Sequence, residues 1–284
     1  VETPETSPET IELTHQIKNC DGRLLVGETD PITMEIVVIS LRRATDRRHA
    51  IQRQFDELGL AFSFLDAVDG KQPHPLFSRF NARKAWWIGE IPLTDGHLGC
   101  YASHYLAWQK CVDDGEPKII LEDDALLYRD SFLAFMEMIP KLPDRFECIR
   151  LFQNKSRKSA NIPVYSDDTL TISKFLRGHK SATGYYVTPA AAHKFLSHAQ
   201  SWTEPLDLEM DQFWANKVEC YGTLPPCLTN DGEFDSAIDK GMDTAELRQG
   251  FMRWRWRIYN MLLRLPRSIH NLMFRLKTSR TPQA

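Results

Sequence analysis

Three consecutive carboxylates, Glu122-Asp123-Asp124, directly follow the apolar run Lys118-Ile119-Ile120-Leu121. Adjacent acids repel one another unless a cation sits among them, and an all-oxygen ligand set suits Mn²⁺ or Mg²⁺, which bridges readily to a diphosphate. Ligands of an open α/β sheet gather at the carboxyl ends of its strands, so here position and chemistry agree. The same acids could also belong to an exposed turn or cap the next helix. A second group, Gly96, Gly99, Ser103 and His104, opens a helical pattern. Glycines there let backbone N–H groups approach an anion or let the helix pack closely on a sheet. His104 reads equally well as a catalytic or as a structural histidine. Asp207 and Asp211 form a third group. On a helix their i, i+4 spacing puts both carboxylates on one face, where one could act as general base on an acceptor hydroxyl. Helix capping by Asp207 is the competing reading. Arg42, Arg43, Arg47 and Arg48 could meet phosphate or face solvent.

These residues need a scaffold, and the hydrophobic pattern supplies one. The β-branched run Ile36 to Leu41 reads as a strand buried on both faces. Asp46 to Leu58 reads as a helix closed by Gly59, and Phe62 to Leu65 as a second strand leading into the turn Asp66-Ala67-Val68-Asp69-Gly70. Strand, helix, strand opens a βαβ unit and implies a parallel sheet. A helix carrying Cys100, His104, Ala107 and Cys111 on one face follows, then the strand before the three acids. Further elements are a helix over Ser131 to Ile139, strands at Cys148 to Phe152 and Tyr185 to Thr188, and a helix from Pro189 to Leu196. Residues 71–92 and 153–180 read as loops. The expected class is α/β.

The 284 residues are 42% hydrophobic and 26% charged, a globular composition that excludes collagen-like and globally disordered chains. The net charge of -3 hides three regions: residues 1–33 carry two basic and seven acidic residues, 34–247 carry 24 and 31, and 248–284 carry nine and none. The expected organisation is therefore a loose extension over 1–33, a catalytic domain over 34–247 and a basic tail over 248–284. Six cysteines without CxxC spacing, and a start without a basic-then-apolar leader, point to free thiols in a reducing cytoplasm.

Four motifs in order resemble glycosyltransferase family 25, the family of lipooligosaccharide galactosyl- and glucosyltransferases: Val38-Ile39-Ser40-Leu41-x-Arg43 with Asp46-Arg47-Arg48; Phe64-Leu65-Asp66-Ala67-Val68-Asp69-Gly70; Gly96-x-x-Gly99-Cys100-x-x-Ser103-His104; and Ile120-Leu121-Glu122-Asp123-Asp124. The resemblance implies a GT-A-like single nucleotide-sugar-binding domain with a mostly parallel central sheet. It implies metal-assisted, inverting transfer from UDP-galactose or UDP-glucose to a sugar hydroxyl. Glu122 and Asp124 stand where the family has its metal motif. Ser40, Arg43, Arg47, Arg48, Asp66 and Asp123 fall in the nucleotide pocket, and Gly96 to His104 near the donor sugar. Asp207 occupies a Pro-x-Asp element and is the expected base, with Asp211 second. This chain has Ser181-Ala182-Thr183 where many relatives carry a Gly-Thr-His-like stretch.

Within the tail, Trp254, Ile258, Leu262, Leu265, Ile269, Leu272 and Leu276 recur every three or four positions, with arginines mostly outside that stripe and Pro266 expected to kink or split the helix. Such a helix reads as an in-plane anchor on an anionic inner-membrane surface. It could instead dock on the catalytic domain. Nucleic acid is disfavoured as a partner because the remaining domain is acidic. The expected protein is a cytoplasmic, peripheral inner-membrane transferase with a lipooligosaccharide acceptor. The other classes considered are a metal-dependent phosphoryl or nucleotidyl transferase and a non-enzymatic binder acting through its tail.

Overall fold

A computed structural model describes residues 34–152, 160–230 and 250–278; the loose extension expected over 1–33 lies outside them. The chain opens with β1 (Glu35–Ser40), α1 (Thr45–Leu58) and β2 (Ser63–Asp66), as the pattern predicts. It continues through α2 (Ala82–Ile88), α3 (Asp95–Asp114), β3 (Lys118–Glu122), β4 (Ala125–Leu127), α4 (Arg129–Met138) and β5 (Cys148–Arg150). Then come β6 (Asn161–Ser166), β7 (Thr171–Phe175), β8 (Gly184–Val187), α5 (Pro189–His198), α6 (Leu206–Met210), α7 (Phe213–Asn216), β9 (Tyr221–Leu224), β10 (Leu228–Asn230) and α8 (Gly250–Thr278).

Eight strands form one sheet in the order β2-β1-β3-β8-β5-β9-β7-β6. Pairing is parallel for β1 with β2, β1 with β3 and β5 with β9, and antiparallel elsewhere, so six of the eight strands share one direction and β8 and β7 oppose it. The sheet is thus mixed in pairing and mostly parallel in direction, which fits a GT-A-like fold. β8 runs against β3 because its first residue lies beside the end of β3, where the Glu122 amide donates to Thr183 O at 2.8 Å.

Both faces of the sheet are covered, which explains why β1 and β3 are continuously apolar rather than alternating. Ile36, Val38, Ile119 and Leu121 meet α1 and α4 through Ile51, Phe55, Phe132 and Phe135. Ile39 and Ile120 meet α3 and α5 through Tyr101, Trp108, Ala191 and Phe195 on the other side.

The structure corrects three local expectations. Residues 153–180 include the β6–β7 hairpin, and residues 71–92 include α2. α8 runs unbroken through Pro266. Pro266 and Leu262, whose carbonyl loses its i+4 partner, are both on the exposed side, where water can serve that carbonyl. Finally, α8 does pack on the domain, but through a different face from the stripe. Tyr259 donates to Glu204 at 3.1 Å, Asn271 to Leu176 O at 3.0 Å, and His270 pairs with Glu219. The expected stripe is left outward, with Leu262, Leu265 and Ile269 at 62, 66 and 50% exposure.

Candidate active site

Register brings the ends of three parallel strands level: Ser40 lies opposite Asp66, and Ile39 opposite Glu122. The chain then turns at Asp123-Asp124 into β4, so the three acids open onto one cleft above β1 and β3. Each acid has a different fate. Asp123 is buried, accepts from Ser40 Oγ at 2.6 Å and pairs with Arg47 at 3.0 Å. Burial raises its carboxyl against the pull of these two partners. Glu122 is half-buried and meets His104 Nε2 at 3.3 Å. Burial opposes its ionisation, yet His104 holds the carboxyl below the ordinary value. Among the described residues Asp124 has only a long contact from Asn230 at 3.5 Å, and its buried Oδ1 has no hydrogen-bond partner. Burial, reinforced by the charges of Glu122 and Asp123, pushes its carboxyl up to about 7.

The opposite wall is the N-terminal half of α3, capped by Thr94, whose Oγ1 accepts from the His97 amide. Gly96, Gly99, Cys100, Ser103 and His104 all line the cleft. A Cβ on Gly99 would lie 2.7 Å from Val68 O and 2.8 Å from Gly70 N, so only glycine admits the turn after β2 this close. Ser103 Oγ secures that turn, accepting from Val68 N at 2.8 Å and donating to Gly99 O at 2.6 Å. Ser40, Arg43, Arg47 and Lys71 complete the cleft with Asp69, which pairs with Arg43. The helix start and three cations, two of them paired with Asp69 and Asp123, face the carboxylates across a cleft of mixed charge in which acids outnumber bases. Arg48 and Asp66 lie behind rather than in it: Arg48 donates to Ser40 O at 2.9 Å and to Asp66 at 2.7 Å, and these bonds with Arg42 hold the Asp66 carboxyl below its usual value.

A second cavity adjoins the first and shares Cys100 and Glu122 with it. Asp207 lines it with His97, Ser181 and Thr183. Burial raises the Asp207 carboxyl above the ordinary range, opposed by the Leu208 amide and Arg150. Asp211 lines neither cavity. It accepts from the His179 and Lys180 amides at 3.1 and 2.8 Å, and burial pushes it up to about 6 despite Arg150 3.7 Å away. The two aspartates that share a spacing in sequence thus part in space: one faces a cavity, the other shapes the loop 178–181.

Asp124, whose Oδ1 has no hydrogen-bond partner among the described residues, offers the oxygen donor that suits a hard divalent cation, and Glu122 is a second carboxylate on the same cleft that could join it. Asp123 is already satisfied. Cys100, His104 and Glu122 also converge within 4.8 Å, but His104 is engaged on both nitrogens, by Tyr185 Oη at 2.8 Å and by Glu122. Trp108 Nε1 also donates to Tyr185 Oη, at 2.9 Å, so that Trp108, Tyr185, His104 and Glu122 form one hydrogen-bonded chain. His104, at the end of this chain, favours the ionised form of Glu122. Sequence reasoning did not single out Lys71, Arg150 or Asn230 for the site, and it placed His97 and Cys100 there only within the stretch from Gly96 to His104. Only His97 carried a local signal, as the third residue after the capping Thr94.

The family described as "Glycosyltransferase family 25 (LPS biosynthesis protein)" matches residues 33–214, more than half of the chain. The chain is 34% identical over 207 residues to the lipooligosaccharide biosynthesis protein lic2B of Haemophilus influenzae, covering 69% of this chain and 76% of that protein. It is 26% identical over 215 residues to the lipooligosaccharide biosynthesis protein lex-1 of the same species, covering 65% of this chain and 70% of the relative. It is 30% identical over 129 residues to procollagen galactosyltransferase 2 of Mus musculus, covering 40% of this chain but only 20% of that protein.

Proposed function

We propose that this chain, which belongs to glycosyltransferase family 25, moves a hexose from a UDP-sugar to a sugar hydroxyl of the lipooligosaccharide or lipopolysaccharide core, inverting the anomeric carbon. The observation that carries this reading is the pair of adjoining cavities meeting at Glu122, one lined by the three acids with Arg43, Arg47 and Lys71 and one holding Asp207. Such a pair suits a donor and an acceptor brought together at one point. Galactose is the favoured hexose, in keeping with the galactosyltransferase name of the mouse relative, and glucose is second.

In this scheme Arg43, Arg47, Lys71 and the start of α3 bind the diphosphate, while Gly99 allows the turn after β2 to close on it. Asp124 and Glu122 would hold Mn²⁺ or Mg²⁺, which when bound would supply Lewis-acid neutralisation of negative charge on the leaving group. His104 keeps Glu122 ionised, and Ser40 and Arg47 keep Asp123 out of the ligand set. Asp207 takes the proton from the acceptor hydroxyl; its raised carboxyl brings it nearer the working pH of a general base. Asp211 and Arg150 position the loop that carries Ser181 and Thr183. The acceptor is lipid-linked, so the enzyme works peripherally at the cytoplasmic face of the inner membrane.

The test is UDP release from UDP-galactose and UDP-glucose with a lactose-like acceptor, in Mn²⁺ and in EDTA. Metal-dependent release from one donor is expected, and it also separates this reading from phosphoryl or nucleotidyl transfer, neither of which frees UDP from a UDP-sugar. No release from either donor, with no metal-dependent UDP binding by calorimetry, would overturn it.

A further inference from the structure

The outward side of α8 and the neighbouring helix α2 form one apolar surface that the site does not use. Of twelve large apolar side chains strongly exposed among the described residues, all but Leu126 lie on these two helices. Trp86 and Trp87 of α2 are 53 and 60% exposed. They abut the start of α8, where the Arg255 guanidinium lies 3.9 Å from the centre of the Trp86 ring. A Cβ on Gly89 would fall 2.5 Å from Met252 O, so the two helices touch at backbone level.

Charge says what could cover this surface. α8 contains seven basic residues and no acidic one. Arg253, Arg257, Arg264 and Arg275 are spaced by four, seven and eleven, which on a helix sets them in one row along an edge of the apolar stripe. All four are exposed. A second copy packed stripe to stripe would bring two such rows together with no acidic partners from either helix. A bilayer containing anionic phospholipid answers both features, burying the stripe and pairing the arginines with headgroups. The helix is about 44 Å long, and no helix among the described residues is long and apolar enough to cross a membrane, so the arrangement is one that lies in the interface.

We infer that the outer face of α8 together with Trp86 and Trp87 is a composite docking surface for an anionic phospholipid bilayer, and that it holds the catalytic domain in a fixed orientation. The fixed orientation follows from the inner face of α8, which is tied to the body by Tyr259, His270 and Asn271. Tyr259 binds Glu204, three residues before Asp207, and Gly89 leads through residues 90–94 into α3. The docked helix therefore rests on segments that flank the second cavity in sequence. The inference deepens the transferase reading by naming the surface at which it acts, but the docking itself does not depend on that reading.

The test is co-sedimentation of the full chain with phosphatidylcholine vesicles with and without 30 mol% phosphatidylglycerol, a composition of roughly bacterial charge. Binding to the anionic vesicles alone is expected. Arg257→Glu with Arg264→Glu should weaken it at least about thirtyfold, at about 1 kcal/mol per lost cation. Leu265→Glu with Ile269→Glu should abolish it, and Trp87→Ser should reduce it severalfold. Circular dichroism verifies folding, and UDP binding by calorimetry should be unchanged in every variant. Equal binding to neutral vesicles, or no binding to either, overturns the proposal. So does a dimer in light scattering that Leu265→Glu with Ile269→Glu dissociates, since a second copy is then the occupant. Parent-like vesicle binding by Trp87→Ser overturns the part assigned to α2. A chain that binds vesicles but not UDP would refute the transferase reading alone.

Discussion

Asp124→Asn should make the cation-free protein more stable while removing its activity. The Asp124 carboxyl stands at about 7 instead of 3.8, because burial and the charges of Glu122 and Asp123 disfavour its ionised form. A difference of that size corresponds to about 4 kcal/mol at 1.36 kcal/mol per pH unit. The side chain is only half-buried and opens on a wet cleft, so solvent screening should leave about 2 kcal/mol. The substitution forfeits little: Oδ1 has no partner to lose, and the long contact from Asn230 can fall on the asparagine oxygen. The sign follows from linkage. A raised folded-state value means stability that is present below pH 3.8 and lost as pH rises through about 7, so the advantage of the variant should appear above pH 4 and level off above pH 7. At pH 8 in EDTA, differential scanning calorimetry should place the variant about 4 to 8 °C above the parent. Saturating Mn²⁺ should raise the parent by about 3 kcal/mol at a hundredfold excess over its dissociation constant and leave the variant nearly unmoved, narrowing or reversing the order. Transfer should fall at least about a hundredfold. A variant that melts at or below the parent in EDTA refutes the electrostatic reasoning, and an undiminished response to Mn²⁺ refutes the ligand assignment.

Three further outcomes can be checked separately. Asp207→Asn should lower kcat about a hundredfold or more with UDP affinity unchanged in calorimetry, because it removes the base and leaves the donor cleft intact; near-parental kcat would exclude Asp207 from that role. Gly99→Ala should cost about 1 to 3 kcal/mol in denaturant unfolding and weaken UDP binding, since its methyl meets Val68 O and Gly70 N; unchanged affinity would mean that the turn after β2 does not touch the nucleotide. Glu204, buried and raised to about 7 with Glu90 and Glu209 adding to the effect, makes folding less favourable as pH rises from 4.5 through about 7. Glu204→Gln retains an acceptor for Tyr259 and Gln212, so its melting temperature should gain on the parent over that interval, and parallel profiles would refute the buried-acid account.

Much of the frame is readable along the chain because it depends on near neighbours. The apolar runs of β1 and β3, the spacing of Ile51, Phe55 and Leu58, and Gly59 as helix stop are local signals, and the structure realises each of them. Three acids after a buried strand likewise announce an electrostatic problem before any fold is known. How that problem is resolved is not local. Ser40, 83 residues away in sequence, and Arg47 neutralise Asp123, His104 holds Glu122, and Asp124 is left over. Three chemically similar neighbours acquire three environments because β1, α1 and α3 converge on them from separate parts of the chain. The same holds for Asp207 and Asp211, whose equal spacing on a helical face conceals that one opens on a cavity and the other is consumed by two amides of the 178–181 loop. In α8, periodicity locates an apolar stripe, but periodicity has no knowledge of a partner. The domain selects the other face because Glu204, Glu219 and the Leu176 carbonyl are buried or half-buried polar groups, and Tyr259, His270 and Asn271 add hydrogen bonds there to those that Gln212 gives Glu204 and Lys174 gives Glu219.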